Sequence, residues 1–172
     1  KGGFGARPTK DGINCIASGI SNMMNTPIEI LEMSFPVRVE EYSVLTDSGG
    51  AGKFRGGCGA RRIWRVLGNT ARGAVCCERS KSAPFGLAGG QPGSPARIRL
   101  EDPDGGIRYP LSKGAFTVPA NGRIIFEVPG SGGFGPPTER DPAALEDDLK
   151  NGYISEDAAN KEYALPIRAD ND

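Results

Sequence analysis

Short runs in which β-branched or aromatic residues alternate with polar ones fill the middle of the chain. The longest is Val37-Arg38-Val39-Glu40-Glu41-Tyr42-Ser43-Val44-Leu45, which stops at Asp47-Ser48-Gly49-Gly50 and predicts a strand. Arg61–Leu67, Arg72–Glu78, Ala96–Glu101, Ile107–Leu111 and Arg123–Val128 predict further strands, each bounded by Gly, Pro, Asn or Asp. Asp102-Pro103-Asp104-Gly105-Gly106 and Pro119-Ala120-Asn121-Gly122 carry hairpin-turn chemistry, because Gly and Asn admit a positive φ. No amphipathic helix of about ten residues intervenes before residue 140, so the strands predict a sandwich or partly open barrel and not a parallel sheet.

Helical signals lie at the two ends of this β-rich stretch. Thr26-Pro27-Ile28-Glu29 has the form of a capping box with Pro27 at the first helical position, predicting a short helix to about Met33 that Pro36 ends. After Pro136-Pro137 the pattern changes. Asp141 is placed to cap a helix that starts at Pro142, carries Ala144, Leu145 and Leu149 on one face and stops at Gly152. A second helix is predicted from Ser155 to about Tyr163, and early Asp and Glu residues suit the helix dipole. The fold class is therefore mainly β with a C-terminal α-helical pair, α+β overall. Three stretches divide the chain: a Gly-rich segment at 1–27 that packs on a neighbouring part, a β-rich domain at 28–138, and an acidic helical hairpin with its tail at 139–172.

Composition sharpens this picture. Of 172 residues, 26 are Gly and 14 are Pro, which excludes a long-helix or coiled-coil protein. No stretch approaches the ~20 apolar residues that span a bilayer, and the beginning lacks an apolar signal region, so the expected location is cytoplasmic, away from membranes. The 21 basic and 21 acidic residues cancel, yet residues 1–138 are net basic and residues 139–172 net acidic by the same amount. That asymmetry argues against a uniformly basic nucleic-acid binder. The absence of His excludes a His base, a His-ligated zinc or a Ser-His-Asp relay within this chain. Cys15, Cys58, Cys76 and Cys77 form no Cys-x-x-Cys pair and read as free thiols, the last two inert inside an apolar strand.

The Gly-rich stretches at 49–52, 56–59, 86–90 and 130–135 contain no Walker A sequence, and the bland reading is that Gly serves turns or close backbone approach. Between Lys53 and Lys81 basic residues greatly outnumber the single Glu78, but strand alternation sets Arg62 and Trp64 on one face and Arg61 and Arg65 on the other. A solvated or subunit-facing surface fits that split better than a nucleic-acid groove. Asn22, Asn25, Thr26 and Glu29 form the densest polar cluster near the beginning, where amide and carboxylate groups could orient an amide-containing substrate or serve caps and turns. Glu40-Glu41 and Asp147-Asp148 do not converge as a catalytic pair.

Read in order, these stretches carry a family resemblance. Gly2-Gly3-Phe4-Gly5-Ala6-Arg7, Asp11-Gly12, Asn22 with Asn25-Thr26-Pro27-Ile28-Glu29-Ile30-Leu31-Glu32, Phe35-Pro36, Asp47 through Gly57, Pro84-Phe85-Gly86-Leu87-Ala88-Gly89-Gly90 and Gly132-Gly133-Phe134-Gly135 resemble the C-terminal part of hydantoinase B proteins. That family includes N-methylhydantoinase B, the B-like half of 5-oxoprolinase, caprolactamase B subunits and B-like subunits of ketone carboxylases such as acetophenone carboxylase. The resemblance covers residues 2 to about 162 and implies a C-terminal portion of a longer B-type subunit, inactive alone. It implies a hydantoinase A-like partner that uses ATP and Mg²⁺ to phosphorylate a carbonyl, a B side that completes cyclic-amide hydrolysis, and a higher hetero-oligomer. Any metal is implied to sit in the preceding, N-terminal part of the same B-type subunit, and no catalytic or metal-ligating residue carries over to this chain. A carboxylase subunit and a purely structural assembly domain stand as alternatives. Asn22, Asn25, Thr26 and Glu29 are expected to line or brace the site where subunits meet.

Overall fold

The computed structural model describes residues 2–18, 20–21 and 24–164. Helix α1 (Ile28–Ser34) leads into β1 (Val37–Val44), β2 (Ala60–Val66) and β3 (Thr70–Cys76). Next come β4 (Arg97–Glu101), β5 (Ile107–Arg108), β6 (Lys113–Pro119) and β7 (Arg123–Glu127), then helices α2 (Pro142–Lys150) and α3 (Glu156–Tyr163). Antiparallel pairing builds a five-stranded sheet in the order β1-β2-β7-β4-β5 and a separate β3-β6 ribbon. The mainly β, α+β reading with two C-terminal helices holds.

The departures have local causes. Strand β6 is not expected from the sequence, because Pro110 and Gly114 punctuate its approach; continuous pairing with β3, from Thr70 opposite Pro119 to Cys76 opposite Lys113, makes it a strand. The predicted Ile107–Leu111 strand shortens to two residues. Asp102–Gly106 is the expected β4-β5 hairpin, with Gly105 at φ +88°. The Pro119–Gly122 turn forms with Asn121 at φ +64°, but it joins strands of different sheets and closes no hairpin. The capping box does not form either. Pro27, at ψ 140°, is itself the N-cap of α1, so Thr26 lies one residue too early to reach the helical amides, and no side chain caps the helix. At α2 the predicted cap holds, Asp141 accepting from the Ala143 amide; Ser155, expected as the start of the second helix, is instead the N-cap of α3 and accepts from the Ala158 amide. Such a cap contributes about 0.5–2 kcal/mol.

Two small cores organise the molecule. Val66, Leu100 and Val118 are fully buried with Ala71, Phe116 and Ile124 around them, which seats the ribbon on the sheet. Leu145, Ile154, Ala159 and Tyr163 close over Ala51 and seat the helical pair on a glycine-rich body. At about 1.5–3 kcal/mol for each large apolar side chain, neither core is generous.

The glycine-rich stretches are mostly not turns. The amides of Gly3 and Ala6 donate to the carbonyls of Pro129 and Gly132 at 3.2 and 3.0 Å, and those of Gly12 and Cys15 donate to Arg55 and Cys58 at 2.8 and 2.9 Å. Donor and acceptor both advance by three residues, the repeat of an extended helix with three residues per turn and not the two-residue repeat of a strand. Further bonds run from Gly57 to Phe4 and from Ser131 to Gly57, so residues 2–16 are woven into this chain's own body. Segments packed this closely leave no room for a side chain: a Cβ on Gly3 or Gly56 would stand 1.9 Å from the carbonyl oxygen of Gly57 or Ser131. Close backbone approach, one of the two roles expected of these glycines, is therefore their main one. No helix among the described residues is long and apolar enough to cross a membrane.

Candidate functional site

A β-bulge builds the open polar cluster of the molecule. In β1 the pairing to β2 runs Val37–Val66 and Val39–Trp64, shifts by one residue at Glu40, and resumes at Glu41–Ile63 and Tyr42–Arg62. The shift turns Tyr42 onto the sheet face that carries Val39, Trp64 and Arg62, where strict alternation would have sent it to the other side. Glu32 of α1 supports the bulge by accepting the Val39 amide at 2.7 Å. Arg62 then lies over the Tyr42 ring, 4.2 Å from its centroid. Its Nη2 donates to Asn25 Oδ1 at 2.6 Å and to the Tyr42 hydroxyl at 2.9 Å, and Asn25 Nδ2 donates to the same hydroxyl at 2.6 Å.

This triangle stands between two clefts. The larger, of about 280 Å³, is walled by Cys15, Ala17, Met24, Phe126 and Val128; the smaller, of about 110 Å³, by Leu31, Val39 and Trp64; Asn25 and Arg62 belong to both. Of the expected site residues, Asn25 sits at the centre of the cluster and Thr26 lines the smaller cleft. Glu29 is exposed on α1 away from both linings, and Asn22 lies outside the described residues. The sequence does not mark Tyr42 and Arg62 as site residues. Alternation places Arg62 beside Trp64, but the bulge that delivers Tyr42 leaves no local signal. The Cys15 thiol, at the edge of the larger cleft, donates to the Gly59 carbonyl at 3.2 Å, and burial pushes its pKa up, so it is a poor nucleophile.

A second arginine cluster is sealed. Arg55, Arg140 and Asp148 are each at most 7% exposed. Asp148 accepts from Arg55 Nε at 3.1 Å and from Arg140 Nη2 at 2.6 Å, and Arg140 also makes paired bonds to Asp11 at 2.7 and 3.0 Å. Arg55 Nη1 reaches the Gly56 carbonyl and Asn14, while the Arg55 amide donates to Asp11 at 2.7 Å. Burial alone would push the Asp11 carboxyl up; the Arg140 hydrogen bonds and charge outweigh it and hold the carboxyl below its ordinary value. This clasp joins residues 11–14, the glycine-rich body and α2.

Part of the charge asymmetry read from the sequence is met inside the chain. Lys53 pairs with Glu139 and Arg55 with Asp148, so carboxylates of the acidic C-terminal stretch meet the basic segment. On the opposite sheet face Arg61 pairs with Glu127, while Arg65 and Arg123 share Glu40. Arg62 forms no ion pair among the described residues. Cys77 is buried, but Cys76, expected to be buried beside it, is exposed because alternation sets it on the outward face of β3 with Thr70, Arg72 and Ala74. No group of three His, Cys, Asp or Glu among the described residues is placed to hold a metal ion.

A family model described as hydantoinase B/oxoprolinase matches residues 1–137. The chain is 30% identical over 169 residues to the B component of a putative D-/L-hydantoinase of Pseudomonas sp. (strain NS671), covering 97% of this chain and 28% of that protein. It is 37% identical over 134 residues to a 5-oxoprolinase of Dictyostelium discoideum, covering 78% of this chain and 10% of that one. Among solved structures, the ATP-dependent caprolactamase from Pseudomonas jessenii superposes with a TM-score of 0.81 at 34% identity, over 99% of this chain and 31% of its own. A nucleotide-free acetone carboxylase shares the fold with a TM-score of 0.79 at 24% identity, over 97% of this chain and 26% of its own. The chain thus spans less than a third of each of these proteins.

Proposed function

The chain belongs to the hydantoinase B/oxoprolinase family, and from that premise we propose that it is the C-terminal part of the B-type subunit of an ATP-dependent cyclic-amide hydrolase. The observation that carries the reading is the superposition of nearly the whole chain on an ATP-dependent caprolactamase. In this reading an A-like partner holds ATP and Mg²⁺ and activates the amide carbonyl, and any metal belongs to other parts of the assembly. This chain supplies no acid, base or nucleophile. Its part is to present Asn25, with Thr26 beside it, at the border of the substrate site, on a segment that α1 and the β1 bulge hold in place.

The surface around that segment supports an assembly role. Met24 is 92% exposed, and Ile30, Met33 and Phe35 are exposed as well, a density of apolar side chains that a protein normally covers with another surface. We assign that cover to the rest of a family-length B-type subunit, within a hetero-oligomer that includes the A-like chain.

The test is ATP consumption by the complete complex of A-like and B-type subunits offered a hydantoin, 5-oxoproline, a lactam, and a ketone with and without bicarbonate. Amide-dependent ATP turnover without bicarbonate is the expected result. Turnover with a ketone that requires bicarbonate would overturn it in favour of a carboxylase, the reading that the shared fold with acetone carboxylase favours. In the same complex Asn25→Ala lowers turnover with an unchanged unfolding midpoint; unchanged turnover would remove Asn25 from the site.

A further inference from the structure

We propose that Arg62, Tyr42 and Asn25 form a socket for the carboxylate of a small-molecule ligand bound in the adjoining cleft. The argument is a count of hydrogen-bonding capacity. The Tyr42 hydroxyl oxygen already accepts from Arg62 and from Asn25, so its own hydrogen is left to donate. Asn25 Oδ1 is engaged by Arg62, and one of the two Asn25 amide hydrogens is engaged by Tyr42. Both Nη2 hydrogens of Arg62 are used, leaving those on Nη1 and Nε. The hydrogen-bonding hydrogens that remain therefore belong to three side chains in mutual contact beside the clefts, around a permanent positive charge that no carboxylate of the described residues neutralises.

Such an arrangement is complementary to an anionic acceptor: both parallel N–H pairs of a guanidinium include Nη2, so the anion here takes single N–H bonds from Nη1 or Nε beside the Tyr42 hydroxyl and the remaining Asn25 hydrogen. Stacking on Tyr42 and the bond to Asn25 fix the guanidinium before a ligand arrives, which lowers the ordering cost of binding. The larger cleft, at about 280 Å³, lies near the lower end of the roughly 300–1,000 Å³ of small-molecule sites, and Phe126, Val128 and Met24 give it apolar walls for the body of the ligand. The sealed cluster offers the counterexample. There each arginine already faces a carboxylate of the same chain.

The proposal rests on the reading that the Asn25 segment borders the substrate site, and its test is binding in place of turnover so that the two can fail separately. Ligand-observed NMR on the complete B-type subunit, without ATP or partner, compares 5-oxoproline with 2-pyrrolidinone, the same lactam ring without the carboxylate. The complete subunit should bind 5-oxoproline at least tenfold more tightly. Arg62→Gln should abolish that preference, Arg62→Lys should retain part of it, and Tyr42→Phe should weaken it several-fold, with unfolding midpoints unchanged throughout. Equal binding of the two ligands, or a preference that survives Arg62→Gln, overturns the socket even if the complex hydrolyses cyclic amides. If a carboxylate from elsewhere in the assembly fills the socket, added 5-oxoproline gains nothing over 2-pyrrolidinone and the small-ligand proposal falls. A preference that depends on Arg62 sustains the socket even if no amide is turned over.

Discussion

The glycine-rich body and the five-stranded sheet each hold arginines beside tyrosines, and they use them in opposite ways. In the body, Arg55 lies 5.0 Å from the Tyr153 ring and Arg140 lies 6.0 Å from Tyr163, both buried and both bound to Asp148. On the sheet, Arg62 is stacked more closely on Tyr42, at 4.2 Å, but meets only neutral partners and stands beside a cleft. A buried charge must be matched within the fold, because an unpaired one costs several kcal/mol, whereas a half-exposed one can remain uncommitted at little cost. The same stacked pair is thus a structural tie in one region and an available recognition group in the other.

The comparison breaks most sharply at Asp148. Asp148→Asn leaves two buried guanidinium groups without their shared carboxylate, and the expected loss is about 3–5 kcal/mol in urea unfolding. A loss below about 1 kcal/mol would mean that water or Asp11 compensates and that the clasp does not hold α2 to the body. Gly56→Ala is next. Its Cβ would sit 1.9 Å from the Ser131 carbonyl oxygen, and backbone cannot step aside as a flexible side chain can, so the loss should reach the upper end of the roughly 1–3 kcal/mol of overpacking. Gly5→Ala, where the Cβ meets open space, is the control and should change stability by no more than about 0.5 kcal/mol.

These glycines also show what is legible in the sequence. The cap at Asp141 and the start of α3 near Ser155 are readable because such signals need only the next three residues. The capping box at Thr26 fails by one residue, since Pro27, with no amide to offer, takes the cap position itself. Strands β1, β2, β4 and β7 announce themselves by alternation, but β6 exists through its pairing with β3, a contact no local pattern encodes. The three-residue hydrogen-bond register of the body leaves a weak trace in the spacing of the glycines, and the turn reading obscures it. At the candidate site, Asn25 is legible as a polar residue in an otherwise unexplained cluster. Its partners come from positions 42 and 62, brought to it by a bulge and a strand pairing.

A pH titration sharpens the contrast from the sealed side. Burial pushes the Tyr163 phenol up to about 12, against about 10 in an unfolded chain. Between those values the unfolded chain has released the proton that the folded chain still holds, so stability is complete below about pH 10 and falls as pH rises toward about 12. Tyr163→Phe should remove this part of the alkaline loss. An alkaline profile identical to that of the parent would show that the phenol is not shielded by the packing of α3 on α2 and the glycine-rich body.

The smallest expected effect is the most telling about the open side. Arg62→Gln removes a charge that forms no ion pair among the described residues and keeps a group that can still donate toward Asn25 and Tyr42. The unfolding free energy should therefore move by no more than about 0.5 kcal/mol, the range of ordinary surface changes. Arg140→Gln, the same chemical change in the sealed cluster, leaves Asp148 and Asp11 short of a shared cation and should cost about 3 kcal/mol or more. If the two variants lost stability equally, Arg62 would be a structural residue like Arg140, and the division between a tie and a recognition group would collapse. If they separate as expected, an arginine that the fold does not need for stability stands at a cleft with donors to spare, and the reason for its position has to be sought in what the cleft binds.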